Sequence, residues 1–168
     1  MTEQRPLWAP WRIKFIRDEK EKRCFMCDQK NPVENYQEED LIVYRGKDVY
    51  VILNRYPYNS GHLLIVPYRH IGDIAELSRD ERCEMMDLCI DSKKILDHLM
   101  EPAGYNVGFN LGLAAGAGIA DHIHMHLVPR WNGDCNFMPV IGDLRVVPES
   151  LEATAELIRD AWDKYGVS

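Results

Sequence analysis

The stretch His122-Ile123-His124-Met125-His126-Leu127-Val128, followed by Pro129, Arg130 and Trp131, holds three of the six histidines in a chain of 168 residues. Side chains of a strand alternate between its faces, so a strand here puts His122, His124 and His126 on one side and Ile123, Met125 and Leu127 on the other. A helix would turn the middle histidine away from its neighbours. The strict alternation and the Val-Pro ending favour the strand, with its apolar face in the core. Successive imidazole stems on the other face stand roughly 7 Å apart, so neighbouring histidines can share a metal but three on one ion is disfavoured. A division of labour among the three follows.

Working outward from that strand, Tyr105 to Leu111 reads as another strand. It leads into Gly112-Leu-Ala-Ala-Gly-Ala-Gly118, small residues that let backbone approach a ligand and offer N–H groups to an anion. Farther upstream, Ser78-Arg-Asp-Glu81 is a capping box. Its helix is expected to reach about Met100, with Cys83, Met86, Ile90 and Leu96 on the buried face, before Pro102 and Gly104 end it. His98, on that helix, reads as an ordinary surface or boundary residue. Leu41 to Tyr44, a turn at Arg45-Gly46-Lys47-Asp48, and Val49 to Asn54 form a hairpin; Tyr56 to Gly61 is a loop and His62 to Tyr68 a third strand. Downstream, Trp131 to Val147 is irregular. Ser150 then starts a C-terminal helix to about Lys164, with Leu151, Leu157, Ile158 and Trp162 inward.

The expected architecture is α+β: a five-stranded antiparallel sheet, a long central helix and a C-terminal helix. The length suits one domain, 1–168, with core motifs at 24–132, an N-terminal arm at 1–23 and a closing loop and helix at 132–168. A composition of 46% hydrophobic and 28% charged residues is that of a soluble globular chain. The formal charge of −7 argues against a general nucleic-acid binder but leaves room for a small phosphorylated ligand. No apolar run approaches the roughly 20 residues of a membrane span, and the start lacks a signal peptide's apolar core, so the expected location is cytoplasmic.

Five cysteines, an odd number, make a disulfide framework improbable. Cys83 and Cys89 fall in the helical pattern and Cys135 in a loop, while Cys24-Phe-Met-Cys27 alone is spaced as a unit. Those two residues read as unrelated thiols, a redox pair, or half of a metal site that needs two more ligands. In Leu7-Trp-Ala-Pro-Trp-Arg12, before a short helical patch near 13–17, Trp8 and Trp11 read as packing anchors. Residues 31–40 form an acidic connector.

The line from His122 to Val128 resembles the His-φ-His-φ-His-φ-φ signature of the histidine triad (HIT) superfamily of nucleotide hydrolases and transferases. Val49-Tyr-Val-Ile-Leu-Asn54-Arg-Tyr-Pro57, Gly61-His62-Leu-Leu-Ile-Val-Pro67, Asn110-Leu-Gly112 and Ala115-Gly116 follow the family's order over roughly residues 24 to 132. The outer stretches, Leu7 to Arg12 and Val128 through Phe137, are more similar to the bacterial branch that includes diadenosine tetraphosphate phosphorylases. The resemblance implies cleavage of a phosphoanhydride in a dinucleoside polyphosphate, with His124 as nucleophile, His126 contacting a phosphate oxygen and assisting the leaving group, and His62 supporting them. It implies ribose binding by Asn54, a phosphate-side role for Asn110, backbone N–H groups around Gly116 and Gly118 on phosphoryl oxygens, and Ile52 and Leu53 against the base. It also implies a homodimer whose two sheets join, and a structural zinc on Cys24, Cys27, His70 and His122.

One departure bears on the reaction. The family's hydrolases commonly carry Gln four residues before the first triad histidine, where this chain has Gly118, and the Ser found near that point in the phosphorylase-like branch is missing too. Water and inorganic phosphate both stay open as acceptors. A phosphoramidate hydrolase and a non-catalytic nucleotide-binding protein are the remaining alternatives.

Overall fold

The computed structural model describes residues 24–28, 41–134 and 150–165. The N-terminal arm with Trp8 and Trp11, the helical patch at 13–17, the connector at 31–40 and the loop past 134 with Cys135 lie outside the described residues. The elements run α1 (Phe25–Asp28), β1 (Ile42–Arg45), β2 (Val49–Leu53), β3 (Leu63–Pro67), α2 (Arg79–Met100), β4 (Gly104–Phe109), β5 (Met125–Arg130) and α3 (Leu151–Tyr165). All five strands form one antiparallel sheet in the order β1-β2-β3-β5-β4. The α+β expectation stands, with strand ends moved by one to three residues.

The β1–β2 turn is fastened to α2. The Glu84 carboxylate accepts from the N–H groups of Lys47 and Asp48 at 2.6 and 2.8 Å, and the Gly46 N–H donates to the Val49 carbonyl at 2.9 Å. A Cβ at residue 46 would strike that carboxylate and sit 2.7 Å from the Val49 carbonyl, which is why glycine stands there.

Cross-strand partners share a face, so the register sorts the sheet. Leu53, Leu63, Leu127 and Val107 point one way, and Ile52, Leu64, His126 and Gly108 the other. The first face carries α2 and α3: Tyr105 reaches α2 with its hydroxyl donating to the Asp97 carboxylate at 2.9 Å, and Tyr44 stacks on Trp162 of α3 at 4.5 Å. The second carries α1, held there by the Tyr50 hydroxyl donating to the Met26 carbonyl at 3.0 Å. Both long helices are therefore on one side, and the histidine side is left for chemistry.

The capping box forms as read: the Glu81 N–H donates to Ser78 Oγ at 3.1 Å and the Ser78 N–H to the Glu81 carboxylate at 2.8 Å. The helix's buried face is rotated from the expected one. Cys83, Met86 and Ile90 are exposed, while Met85, Leu88, Cys89, Ser92, Ile95 and Leu96 face inward, so Leu96 alone of the four expected residues lies on the buried face. The inner stripe contains Glu81 and Ser92, whose polarity suggests water, but each is satisfied locally. Ser92 donates to the Leu88 carbonyl at 2.6 Å, and Arg69 grips both Glu81 oxygens at 2.7 Å. In α3, Leu157 is likewise exposed, and Thr154, Ala155, Ile158, Ala161 and Trp162 are inside.

Glu81 gives a pH prediction. The Arg69 guanidinium, and then the Ser78 N–H and hydroxyl, hold its carboxyl down at about 2 against the opposing effect of burial. A carboxyl lowered by folding contributes stability that is complete above about 4.5 and lost as the pH falls towards 2. Glu81→Gln is expected to remove about 1–3 kcal/mol at pH 7, the range allowing for the half-exposed arginine, and to flatten the acid limb of the stability curve. Urea unfolding at pH 7 and pH 3 measures both effects.

Candidate functional site

Two side-chain clusters meet at the histidine segment. His122 and His124 precede β5, so the strand proper starts later than expected, yet the alternation persists. Ile123 and Met125 enter the core while the three imidazoles stay on the other face. The Ile123 N–H donates to the Ile71 carbonyl at 2.7 Å, which keeps this lead-in extended.

The first cluster is Cys24, Cys27, His70 and His122, whose four ligand atoms all lie within 4.8 Å of one another. Cys24 Sγ and Cys27 Sγ stand 3.3 and 3.5 Å from His122 Nδ1, and Cys27 Sγ stands 3.2 Å from His70 Nδ1. With Zn–N and Zn–S bonds of about 2.0 and 2.3 Å, neighbouring donors of a tetrahedral shell stand roughly 3.6 Å apart, close to these spacings. The His122 Nε2–H donates to the Pro67 carbonyl at 2.8 Å, which leaves Nδ1 with its lone pair towards the two sulfurs. Burial pushes His122 down to about 4, with His70 and His124 adding to the fall and the Pro67 carbonyl opposing it. The neutral imidazole is the form that ligates a metal.

The second cluster is His62, His124 and His126. The His124 Nδ1–H donates to the His122 carbonyl at 2.9 Å, so its proton is placed and Nε2 carries the lone pair. Burial lowers its pKa, against a smaller opposing effect of that carbonyl, which favours the neutral ring. Its ring centroid is 4.9 Å from that of His126.

The protons on His62 and His126 follow from a donor with no alternative role. The Tyr58 backbone N–H donates to His62 Nδ1 at 3.0 Å. Asn54 aims its NH₂ at the same nitrogen from 3.3 Å, its carbonyl oxygen being taken by the Tyr56 N–H at 2.9 Å. His62 Nδ1 is thus an acceptor and the proton sits on Nε2, which donates to His126 Nδ1 at 3.0 Å. His126 is in turn protonated on Nε2. The Asn110 Nδ2 stands 3.3 Å from that nitrogen, and because two donors cannot bond each other the relay calls for the reversed amide, with Oδ1 accepting from His126.

The remaining expected residues divide. Ile52 shares the sheet face of His126 through Leu64, whereas Leu53 lies on the opposite face with Leu63. Gly116 and Gly118 are exposed on the loop before the triad; Gly116 has φ +84° and its N–H donates to the Leu113 carbonyl at 3.0 Å. Sequence reading missed Tyr58, whose ring lies 4.7 Å from His62 and 5.9 Å from His126 between centroids. It also missed Asn59 and Asp134. Every residue but proline has a backbone N–H, so nothing in the residue type marks Tyr58 as a donor.

Comparison with known proteins places the chain. The HIT domain family matches residues 35–133, and the chain belongs to that family. It is 39% identical over 163 residues to an AP-4-A phosphorylase of Mycobacterium tuberculosis, with 93% of this chain and 83% of that protein aligned. Two solved structures share the fold. One is a zinc-bound histidine triad family protein from Mycobacterium smegmatis, with a TM-score of 0.60, 24% identity, and coverage of 74% of this chain and 85% of the other. The second, described as a hypothetical histidine triad nucleotide-binding protein from Sulfolobus tokodaii, gives 0.67, 23%, 84% and 93%.

Proposed function

We propose that the chain, acting as one domain in the cytoplasm, cleaves a phosphoanhydride of a dinucleoside polyphosphate such as diadenosine tri- or tetraphosphate by covalent nucleotidyl transfer. The observation that carries this reading is the complementary pair of protons: His124 presents a lone pair at Nε2, and its neighbour His126 presents an N–H at Nε2. Nucleophile and leaving-group donor stand side by side with opposite polarity.

His124 Nε2 attacks the α-phosphorus, forming an N–P bond as the bond from phosphorus to the bridging oxygen breaks. The departing electron pair collects on that oxygen, where the His126 N–H stabilises it. The His124 ring becomes cationic, and the His122 carbonyl still holds its Nδ1–H. An acceptor oxygen then attacks the same phosphorus and releases Nε2 with its lone pair. Asn54 is assigned to the ribose, Asn110 to the phosphate side, Ile52 to the base, and the exposed Gly116 and Gly118 to close backbone approach by the phosphoryl oxygens.

Phosphate is the acceptor favoured by the 39% identity to a phosphorylase, and water is the alternative. Diadenosine tetraphosphate incubated with and without phosphate separates the two. ADP appearing with ATP only when phosphate is present means phosphorolysis; AMP with ATP means hydrolysis. The triphosphate gives two ADP by phosphorolysis and AMP with ADP by hydrolysis, and an enzyme that forms the expected products from neither substrate overturns the proposal.

The Cys24, Cys27, His70 and His122 group is assigned a structural zinc, since a closed shell of four protein ligands has no position for substrate. When bound, the ion supplies a cross-link between α1 and the triad segment. A homodimer is supported by β4, an edge strand with β5 as its one described neighbour, and by the exposure of Val107 on it. Val107→Lys is expected to weaken dimerisation about tenfold or more in sedimentation experiments. A wild-type chain that sediments as a monomer at all concentrations removes this part of the reading.

A further inference from the structure

The loop from Asn54 to His62 is closed on itself: the Asn54 N–H donates to the His62 carbonyl at 2.9 Å, and the His62 N–H to the Asn59 carbonyl at 3.2 Å. The position of Asn59 therefore sets the position of both the Tyr58 N–H and the His62 ring. Asn59 is itself held from outside the loop, its NH₂ donating to the Asp134 carboxylate at 2.7 Å and to the Pro129 carbonyl at 3.1 Å. Asp134 is gripped in turn. Arg130 Nε and Nη2 donate to its two oxygens at 2.6 and 2.8 Å, the Trp131 N–H adds a contact at 3.2 Å, and Arg130 Nη1 donates to Asn106 on β4 at 2.7 Å.

We infer that Arg130, Asp134 and Asn59 form a positioning clamp that holds the Tyr58 N–H on His62 and so keeps the proton of His126 on Nε2, aimed at the leaving group. The inference deepens the proposed reaction and rests on it for the identity of the leaving group. The physical step is a choice between tautomers. A neutral imidazole in water has two forms of similar energy, and a backbone donor on Nδ1 removes one of them. With the Tyr58 donor displaced and the longer Asn54 contact at 3.3 Å left on Nδ1, a fraction of His62 carries its proton on Nδ1, and its Nε2 then accepts a hydrogen from His126 Nδ1. The His126 Nε2 facing the substrate becomes a lone pair, which repels the electron pair arriving on the bridging oxygen. The salt bridge alone does not achieve this; the Asn59 amide carries the constraint across to the loop.

Asn59→Ala and Asp134→Ala test the clamp by nitrogen-detected NMR of the imidazoles and by steady-state kinetics on two substrates. In the wild type, His62 and His126 are expected to show single Nε2–H tautomers, and in each variant mixed tautomers, with His122 and His124 unmoved. With diadenosine tetraphosphate, kcat is expected to fall about tenfold with KM little changed, since a misplaced donor loses part of what an oxyanion contact supplies. With the 2,4-dinitrophenyl ester of AMP, whose leaving group needs no such donor, the fall is expected to stay under about twofold. Wild-type tautomers in folded variants, or equal losses on both substrates, overturn the inference. Tautomers that shift as expected while the wild type turns over neither substrate sustain the clamp and overturn the proposed reaction.

Discussion

Replacing His124 with alanine is expected to abolish turnover of diadenosine tetraphosphate, lowering kcat by about 10⁴-fold or more, because the first bond of the reaction has no other lone pair to form it. His126→Ala is expected to cost less, about 10²–10³-fold, the usual value of one donor on developing oxyanion charge. The inequality is informative. If the triad were a metal-binding face, the two substitutions would act alike and both would release the ion. Under the proposed division, His124→Ala leaves metal content at the wild-type level, because His124 is bonded through its ring to the His122 backbone and not to the sulfur cluster. The companion measurement is chemical trapping. Quench of wild type with labelled substrate in alkaline denaturant, where the acid-labile P–N bond persists, should retain a nucleotidyl phosphoramidate on the protein, and the alanine variant should retain none. Wild-type turnover by His124→Ala, or no trapped adduct on the wild type, ends the covalent reading.

The shared face of the three histidines was legible because a two-residue period is a statement about faces, and faces survive errors in strand boundaries. His122 and His124 lie before β5, yet their neighbours Ile123 and Met125 are core residues all the same. The metal group was legible for a different reason: thiols and imidazoles are few, and the resemblance named which four to combine. What the sequence hid were groups whose role depends on partners distant in the chain. Glu81 and Ser92 sit on the inner stripe of α2 because Arg69 and the Leu88 carbonyl satisfy them, and the apolar pattern of Cys83, Met86 and Ile90 points to a face rotated away from it. Ile52 and Leu53 are adjacent apolar residues that only the register with β3 divides between faces. The clamp was invisible for the same reason, since Asn59 and Asp134 are common loop residues 75 positions apart that acquire meaning by touching.

Zinc removal carries the second large effect, and it is expected to show first in stability. The described cluster joins α1, the segment after β3 and the lead-in to β5, three pieces distant in sequence. Bound at about a thousand times its dissociation constant, a native-state ligand contributes about 4 kcal/mol, which for a chain of this size corresponds to a fall of roughly 10 °C in Tm on stripping. Cys27→Ser is expected to lower bound zinc from about one per chain to a small fraction and to reproduce most of that shift. His70→Ala should do the same, and because His70 is exposed and Cys27 partly so, neither change opens a core cavity that would confuse the result. Activity should fall with the structure and not ahead of it. His122 links the two clusters, its ring facing the sulfurs and its carbonyl fixing the His124 proton, so a loosened His122 releases the nucleophile to rotate. Chelation that abolishes turnover while Tm stays at the holoprotein value would instead put the metal in the reaction. Purified wild type with no zinc by elemental analysis, even after growth with added zinc, would remove the ion from the account altogether.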